Sequence, residues 1–366
     1  MSQTLVDLVR LACAPGARAI RPAARLMSIL SDQPHRLPEL FHAVHQLPDG
    51  GSRLARPRLL LGITGSPGSG KSTLTDALIR EFRRRHPEGR LGVVAVDPSS
   101  PFTGGAVLGD RVRMMRHATD SGVFVRSMAS RGHLGGLALG VKGVIRVMGL
   151  IGCDTVFVET VGVGQSEVEV AGVADLVLIV LAPGQGDSIQ LLKAGLLEIG
   201  DLLVVNKADR PDAARLHGEL LAMLRVARDD QTGHHGQVVE DETAGDLAPW
   251  LSRRPGTLID PRTFLVSGEQ GHGVADLVDD LESLTVEFAP HWQSQRLASI
   301  EQEVREAVVE EASRRLRETL QSAGAGDLIA SEVLTGRVSL ADAASNLLSA
   351  TSGTSRLSVP VPPESP

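Results

Sequence analysis

At 366 residues and 42% hydrophobic content, the chain is long enough for two domains, or one domain with sizeable helical additions, and for a large buried core. Aromatic residues make up 2% and tyrosine is absent, so the interior must be built from Leu, Val, Ile and Ala, and stacking platforms for single-stranded nucleic acid are disfavoured. A formal net charge of −7 argues against general affinity for nucleic-acid phosphates.

Residues 1–55 read as an N-terminal helical extension. Leu5, Leu8, Val9 and Ala12 share one apolar face; Ile20, Ala23, Ala24, Met27 and Leu30 share another. Asp7 and Arg10 interrupt the first face, which speaks against a signal peptide, and no apolar run approaches the roughly 18 residues of a membrane span. The two cysteines, Cys13 and Cys153, have no C-x-x-C or zinc-finger spacing, which suits a reducing compartment. A cytoplasmic protein without membrane or nucleic-acid partners is expected. Pro34, Pro38 and the Pro48–Gly51 cluster punctuate this region, the last as a linker.

From Arg58 onward strands and helices alternate. Buried-strand patterns fall at 59–63, 91–96, 123–127, 154–158, 175–182, 201–205 and 262–266, separated by helical stretches such as 72–84, 137–150, 188–199 and 212–227. The expected fold is α/β, with a mostly parallel central sheet covered by helices on both faces. Ligands in such sheets sit at the carboxyl ends of the strands.

The first strand runs into Gly65-Ser66-Pro67-Gly68-Ser69-Gly70-Lys71-Ser72-Thr73, which fits the phosphate-loop pattern G-x-x-x-x-G-K-[ST] between a strand and a helix. Its glycines let backbone amides curl around phosphate oxygens, Lys71 reaches the β/γ-phosphates, and the Ser72 hydroxyl suits Mg²⁺. Asp97 leaves its strand on the same side, where a carboxylate can hold Mg²⁺ or a water bound to it. Strand 154–158 ends in Glu159, a metal-proximal acid, and Gly162 follows with an N–H suited to a γ-phosphate. Strand 201–205 ends in Asn206-Lys207-Ala208-Asp209. An ionised Asp only accepts, so Asp209 matches the two adjacent donors of guanine and would stand unpaired against adenine. Ser267, Gly268 and Glu269 follow the last strand and could supply a supporting amide to guanine O6.

Longer stretches carry a more specific signal. Val96–Gly105, Gly109-Asp110-Arg111-Val112-Arg113-Met114, Arg126–Gly136 and Glu159–Glu167 together resemble the MeaB/ArgK-type GTPases, chaperones of adenosylcobalamin-dependent acyl-CoA mutases such as methylmalonyl-CoA mutase. The resemblance covers about 56–228, resumes near 262, and implies a P-loop NTPase fold of the SIMIBI type with helical extensions at both ends. It implies that Lys71 and Ser72 hold phosphates and Mg²⁺, that Asp97, Asp110 and Glu159 surround the metal, and that Gln165 lies in the loop sensing the γ-phosphate. It further implies that 181–193 is an additional switch, in which Asp187, Gln190 and Lys193 complete the catalytic site when the mutase docks. The cofactor, adenosylcobalamin, would be carried by the partner. A transport-associated kinase and a nickel metallochaperone are the alternative readings.

Residues 228–261 depart from the family: they are polar and turn-rich, with adjacent His234 and His235. Glu269 and Gln270 stand where the family's final guanine loop carries alanine, and Arg131 and His133 receive no role. With the GTPase domain taken as 56–290, residues 291–350 return to helix with an apolar stripe through Leu297, Ile300, Val304, Val308, Ala312, Leu316 and Leu320. This stripe is expected to be a homodimerisation arm, and the Ser, Thr and Pro-rich 351–366 a disordered tail.

Overall fold

The computed structural model describes residues 4–14, 19–47, 57–98, 115–117, 119–130, 136–160, 172–184, 199–233, 262–321 and 325–343. The chain divides into two compact units, Met1–Gln293 and Ser294–Pro366.

The first unit begins with helices α1 (Leu5–Ala12), α2 (Ile20–Asp32) and α3 (Leu37–His45). A capping box opens α1: the Thr4 hydroxyl accepts from the Asp7 amide, and the Asp7 carboxylate accepts from the Thr4 amide. Strand β1 (Leu59–Gly65) leads into α4 (Lys71–Arg85), followed by β2 (Leu91–Pro98), β3 (Val123–Ser130), α5 (Gly136–Leu150), β4 (Thr155–Thr160), β5 (Leu176–Leu181) and β6 (Leu202–Val205). Helix α6 (Ala213–Gly233), β7 (Arg262–Leu265) and the start of the long α7 (Val274–Gln321) complete it; the rest of α7, from Ser294, and α8 (Ala325–Leu334) belong to the second unit.

The strands form one seven-stranded sheet in the order β3-β2-β4-β1-β5-β6-β7, and every pair is parallel. β1 and β5 are buried along their whole length, as continuous Leu/Ile/Val runs require when helices cover both faces. Alternation sorts their side chains. Leu60, Val94, Val96, Val156 and Val158 face a cluster with Leu8, Leu26, Leu30, Leu40, Val144 and Met148, so the N-terminal helices and α5 share one core. Leu61, Ile63, Val93 and Phe157 face the opposite way, against Leu74, Leu78 and Phe82 of α4 and Leu277, Leu281, Leu284 and Trp292 of α7. Val177, Ile179 and Val205 pack on Ala213, Leu216 and Leu220 of α6.

At the amino ends of the strands, carboxylates close the ladder. Asp175 Oδ2 accepts from the Leu60 amide at 2.9 Å, and the buried Asp201 accepts from the Val177 amide at 2.7 Å. On the second face Arg85 ties α4 to α7, donating to Asp279, Glu282 and the Ala275 carbonyl.

Several boundaries differ from the sequence expectation. β2 continues through Asp97 and Pro98, which pair with Ala129 and Ser130 in a β3 that likewise runs past 127. α6 extends through the polar 229–233, expected as turn, because its apolar residues already anchor it to β6 and β7. α7 starts at Val274, before the 291 at which helix was expected to return, and runs through Pro290. Val286, whose carbonyl loses its donor to the proline, is 64% exposed and can turn it to water. In the second unit Ser339 Oγ accepts from the Asp342 amide at 3.1 Å and caps the helical residues that follow. Among the described residues no helix is long and apolar enough to cross a membrane.

Candidate functional site

β1 is a central strand whose neighbours are β4 and β5, so the loop leaving its carboxyl end opens between two halves of the sheet. Gly70, in the left-handed region at φ 88°, is the N-cap of α4, and a side chain there would place Cβ 2.5 Å from Asn206 Nδ2. Lys71 is buried to 7% exposure and donates to the carbonyls of Gly65 (2.6 Å) and Ser66 (3.0 Å), which holds its ammonium inside the loop.

The helix then presents Ser72, whose hydroxyl donates to Glu159 Oε1 at 2.6 Å. Glu159 is 1% exposed and ends β4 beside Thr160, whose hydroxyl donates to Thr64 of β1 at 3.1 Å. Because Ser72 gives its hydrogen to the carboxylate, its lone pairs stay available to a cation. Two hard oxygen donors in contact fit Mg²⁺. Ala95 pairs with Glu159 across β2 and β4, so Asp97 lies two residues further toward the same end of the sheet. Asp110, Arg131, His133, Gly162, Gln165, Asp187, Gln190, Lys193, His234 and His235 lie outside the described residues.

The other end of the crevice is built from the loops after β6 and β7. Asn206 is buried and bridges both halves. Its Nδ2 donates to the Ser69 carbonyl (2.9 Å) and the Gly70 carbonyl (3.3 Å), while its Oδ1 accepts from the Gly268 amide (3.0 Å). Lys207, the one non-glycine residue at positive φ (60°) among those described, donates from Nζ to the Gly68 carbonyl at 2.6 Å. Asp209 remains exposed, and its Oδ1 accepts from the Ser267 hydroxyl at 2.7 Å. That bond, with one from its own backbone amide, holds the Asp209 carboxyl below its usual range, so it stays an acceptor for a donor pair on a ligand. Gly268 lies against α4, where a Cβ would meet the Leu74 backbone at 3.0 Å.

Of the expected site residues, the structure thus brings together the phosphate loop, Ser72 with Glu159, and the Asn206–Asp209 stretch with Ser267 and Gly268. The use of the Ser267 hydroxyl, rather than its backbone, to orient Asp209 escaped the sequence reading. So did the pairing of His117 with Asp76, for which no local pattern exists across 41 residues.

Comparison with known proteins agrees with this geometry. A family model described as methylmalonyl Co-A mutase-associated GTPase MeaB matches residues 45–322. A protein of Pyrococcus abyssi named as a GTPase is 48% identical over 223 residues, 60% of this chain and 66% of that protein. GTPase ArgK of Escherichia coli is 46% identical over 155 residues, 41% of this chain and 45% of its own. The mitochondrial methylmalonic aciduria type A homolog of Caenorhabditis elegans is 37% identical over 171 residues, 46% of this chain and 43% of its own. The matches therefore span just under two thirds of the Pyrococcus relative and under half of the other two. A crystal structure of LAO/AO transport system kinase shares the fold, with TM-score 0.53 and 22% identity over 94% of this chain and 96% of that one. With a family match over more than half its length, the chain belongs to the MeaB family of methylmalonyl-CoA mutase-associated GTPases.

Proposed function

We propose that this protein binds GTP with Mg²⁺, hydrolyses it slowly on its own, and couples that cycle to the loading or protection of an adenosylcobalamin-dependent acyl-CoA mutase. The observation that carries the nucleotide reading is the connected arrangement of Ser72 on Glu159, Asn206 across the phosphate and base loops, and Asp209 oriented by Ser267. Guanine offers N1–H and the exocyclic amine side by side to Asp209; adenine offers an acceptor at N1 and would leave the carboxylate unpaired. Mg²⁺ would be held by Ser72, with Glu159, Asp97 and Asp110 around it, and supplies charge neutralisation to the β/γ-phosphates. Lys71 binds and orients those phosphates, and Gly162 and Gln165 sense the terminal one.

The family description and the aciduria-type relative support a mutase partner. In this reading Asp187, Gln190 and Lys193 are ordered by that partner, Lys193 swinging toward the phosphates. Catalysis of phosphoryl transfer is mostly positioning and electrostatic stabilisation, so a partner-ordered cation adds several orders of magnitude. The protein acts as a homodimer through its C-terminal helices, where Ile300, Val304 and Val308 are 41, 56 and 63% exposed.

The test is nucleotide binding and turnover by the full chain with Mg²⁺, alone and with methylmalonyl-CoA mutase. The expected result is a preference for GTP over ATP and phosphate release that the mutase accelerates. A preference for ATP, or label passing from the γ-phosphate to a protein acceptor, overturns it. A Lys193→Ala variant still fully stimulated by the mutase removes the switch from the account.

A further inference from the structure

β1 and β4 separate at the carboxyl end of the sheet. Their backbone pairing ends with Ile63 opposite Glu159, while β1 stays with β5 through Gly65 and β4 stays with β2 through Thr160. At the first step of that split the Thr160 hydroxyl donates to the Thr64 hydroxyl at 3.1 Å, and both residues are 0% exposed. Side chains alternate along a strand, so Thr64 and Thr160 continue the face of Leu60, Val156 and Val158. Glu159 continues the opposite face, that of Ile63 and Phe157, where α4 brings Ser72 to it. Each threonine is the chain neighbour of a site residue. Thr64 precedes Gly65, whose carbonyl accepts from Lys71; Thr160 follows Glu159, which accepts from Ser72; and Lys71 and Ser72 are adjacent on α4. Three hydrogen bonds and three chain links thus close a ring that passes from Thr64 through Gly65, Lys71, Ser72, Glu159 and Thr160 and back.

We propose that the Thr64–Thr160 bond is a clasp across the split in the sheet that sets where Glu159 stands relative to Ser72, making both threonines positioning residues for the magnesium site. The proposal rests on the GTPase reading above. Both hydroxyls lie on the sheet face away from α4, so they act on the metal only through Glu159 and Ser72. Without the clasp, β4 is held to β1 no further than Glu159 itself, and the carboxylate can drift from the serine hydroxyl. Mg²⁺ demands near-ideal octahedral geometry, so its affinity is sensitive to such drift.

The experiment compares the full-length wild type with Thr160→Val, Thr64→Val, the variant carrying both, and Thr160→Ser. Valine keeps the branched shape and strand preference of threonine without its hydroxyl. The measurements are GTP hydrolysis against Mg²⁺ concentration, GDP affinity in EDTA, and thermal midpoints. Each single valine variant should raise the Mg²⁺ needed for half-maximal turnover about tenfold while metal-free GDP binding holds. Each should also lower the thermal midpoint, because one buried hydroxyl loses its partner. Thr160→Ser, which keeps the donor, should restore the wild-type Mg²⁺ dependence. In the double variant no hydroxyl is stranded, so the thermal midpoint should recover while the Mg²⁺ requirement stays raised. Unchanged Mg²⁺ dependence in either single variant, or a requirement that recovers with the midpoint in the double variant, overturns the clasp. If the wild type hydrolyses no GTP, the proposed function fails by itself. The clasp is then read from the thermal midpoints of Thr160→Val, Ser72→Ala and their combination, where non-additivity supports the ring and additivity overturns it.

Discussion

The two ends of the sheet spend carboxylates differently. At the amino ends, Asp175 and Asp201 accept from the backbone amides of Leu60 and Val177, partners with no freedom to turn away. At the carboxyl ends, Glu159 and Asp209 accept from the hydroxyls of Ser72 and Ser267, partners that can rotate. An acid satisfied by an amide is committed to architecture. One satisfied by a hydroxyl is oriented yet keeps lone pairs for something else. At the two ends of this sheet it is the donor, more than the acid, that differs.

The contrast is broken most severely at Asp209. Asp209→Asn should cost about two to three orders of magnitude in guanine-nucleotide affinity, since charge-assisted hydrogen bonds contribute roughly 1.5–3 kcal/mol each. The melting temperature should stay put. Xanthine carries a carbonyl where guanine has its amine, so the new amide should gain affinity for xanthine nucleotides, measured by competition against labelled GDP. Asp201→Ala should do the reverse. It strands the Val177 amide inside the sheet and should lower stability by about 2 kcal/mol in denaturant titration, with GTP affinity of the folded fraction unchanged.

A third class of partner gives the smallest effect. Glu81 accepts from Arg84 and then Arg85, which bring its carboxyl from 4.5 down to about 2. Since the folded value is depressed, its stabilisation is complete above the unfolded value and fades as pH falls toward 2. Glu81→Gln should therefore cost at most about 1 kcal/mol at neutral pH and match the wild type near pH 2, read from urea midpoints across pH.

Much of this was legible in the sequence where chemistry and chain order coincide. Gly65–Ser72 and Asn206–Asp209 are contiguous, and each sits at the end of an apolar run that could only be a buried strand. Partners brought together by the sheet left no local trace: Asn206 reaching Gly70 and Gly268, or His117 reaching Asp76. The two helix extensions share a cause. Asp229-Asp230 and Pro290 are locally unfavourable for helix, yet α6 and α7 were already secured by Leu216, Leu220, Leu281 and Leu284, and packing overrode propensity.

The Asn206 bridge has a kinetic consequence. Because one side-chain amide holds the Ser69 and Gly70 carbonyls with one end and the Gly268 amide with the other, the floor beneath the phosphates and the rim around the base cannot drift apart independently. A nucleotide leaving this cleft is then expected to let go of both ends together, and a partner that hastens exchange would gain most by loosening that one amide.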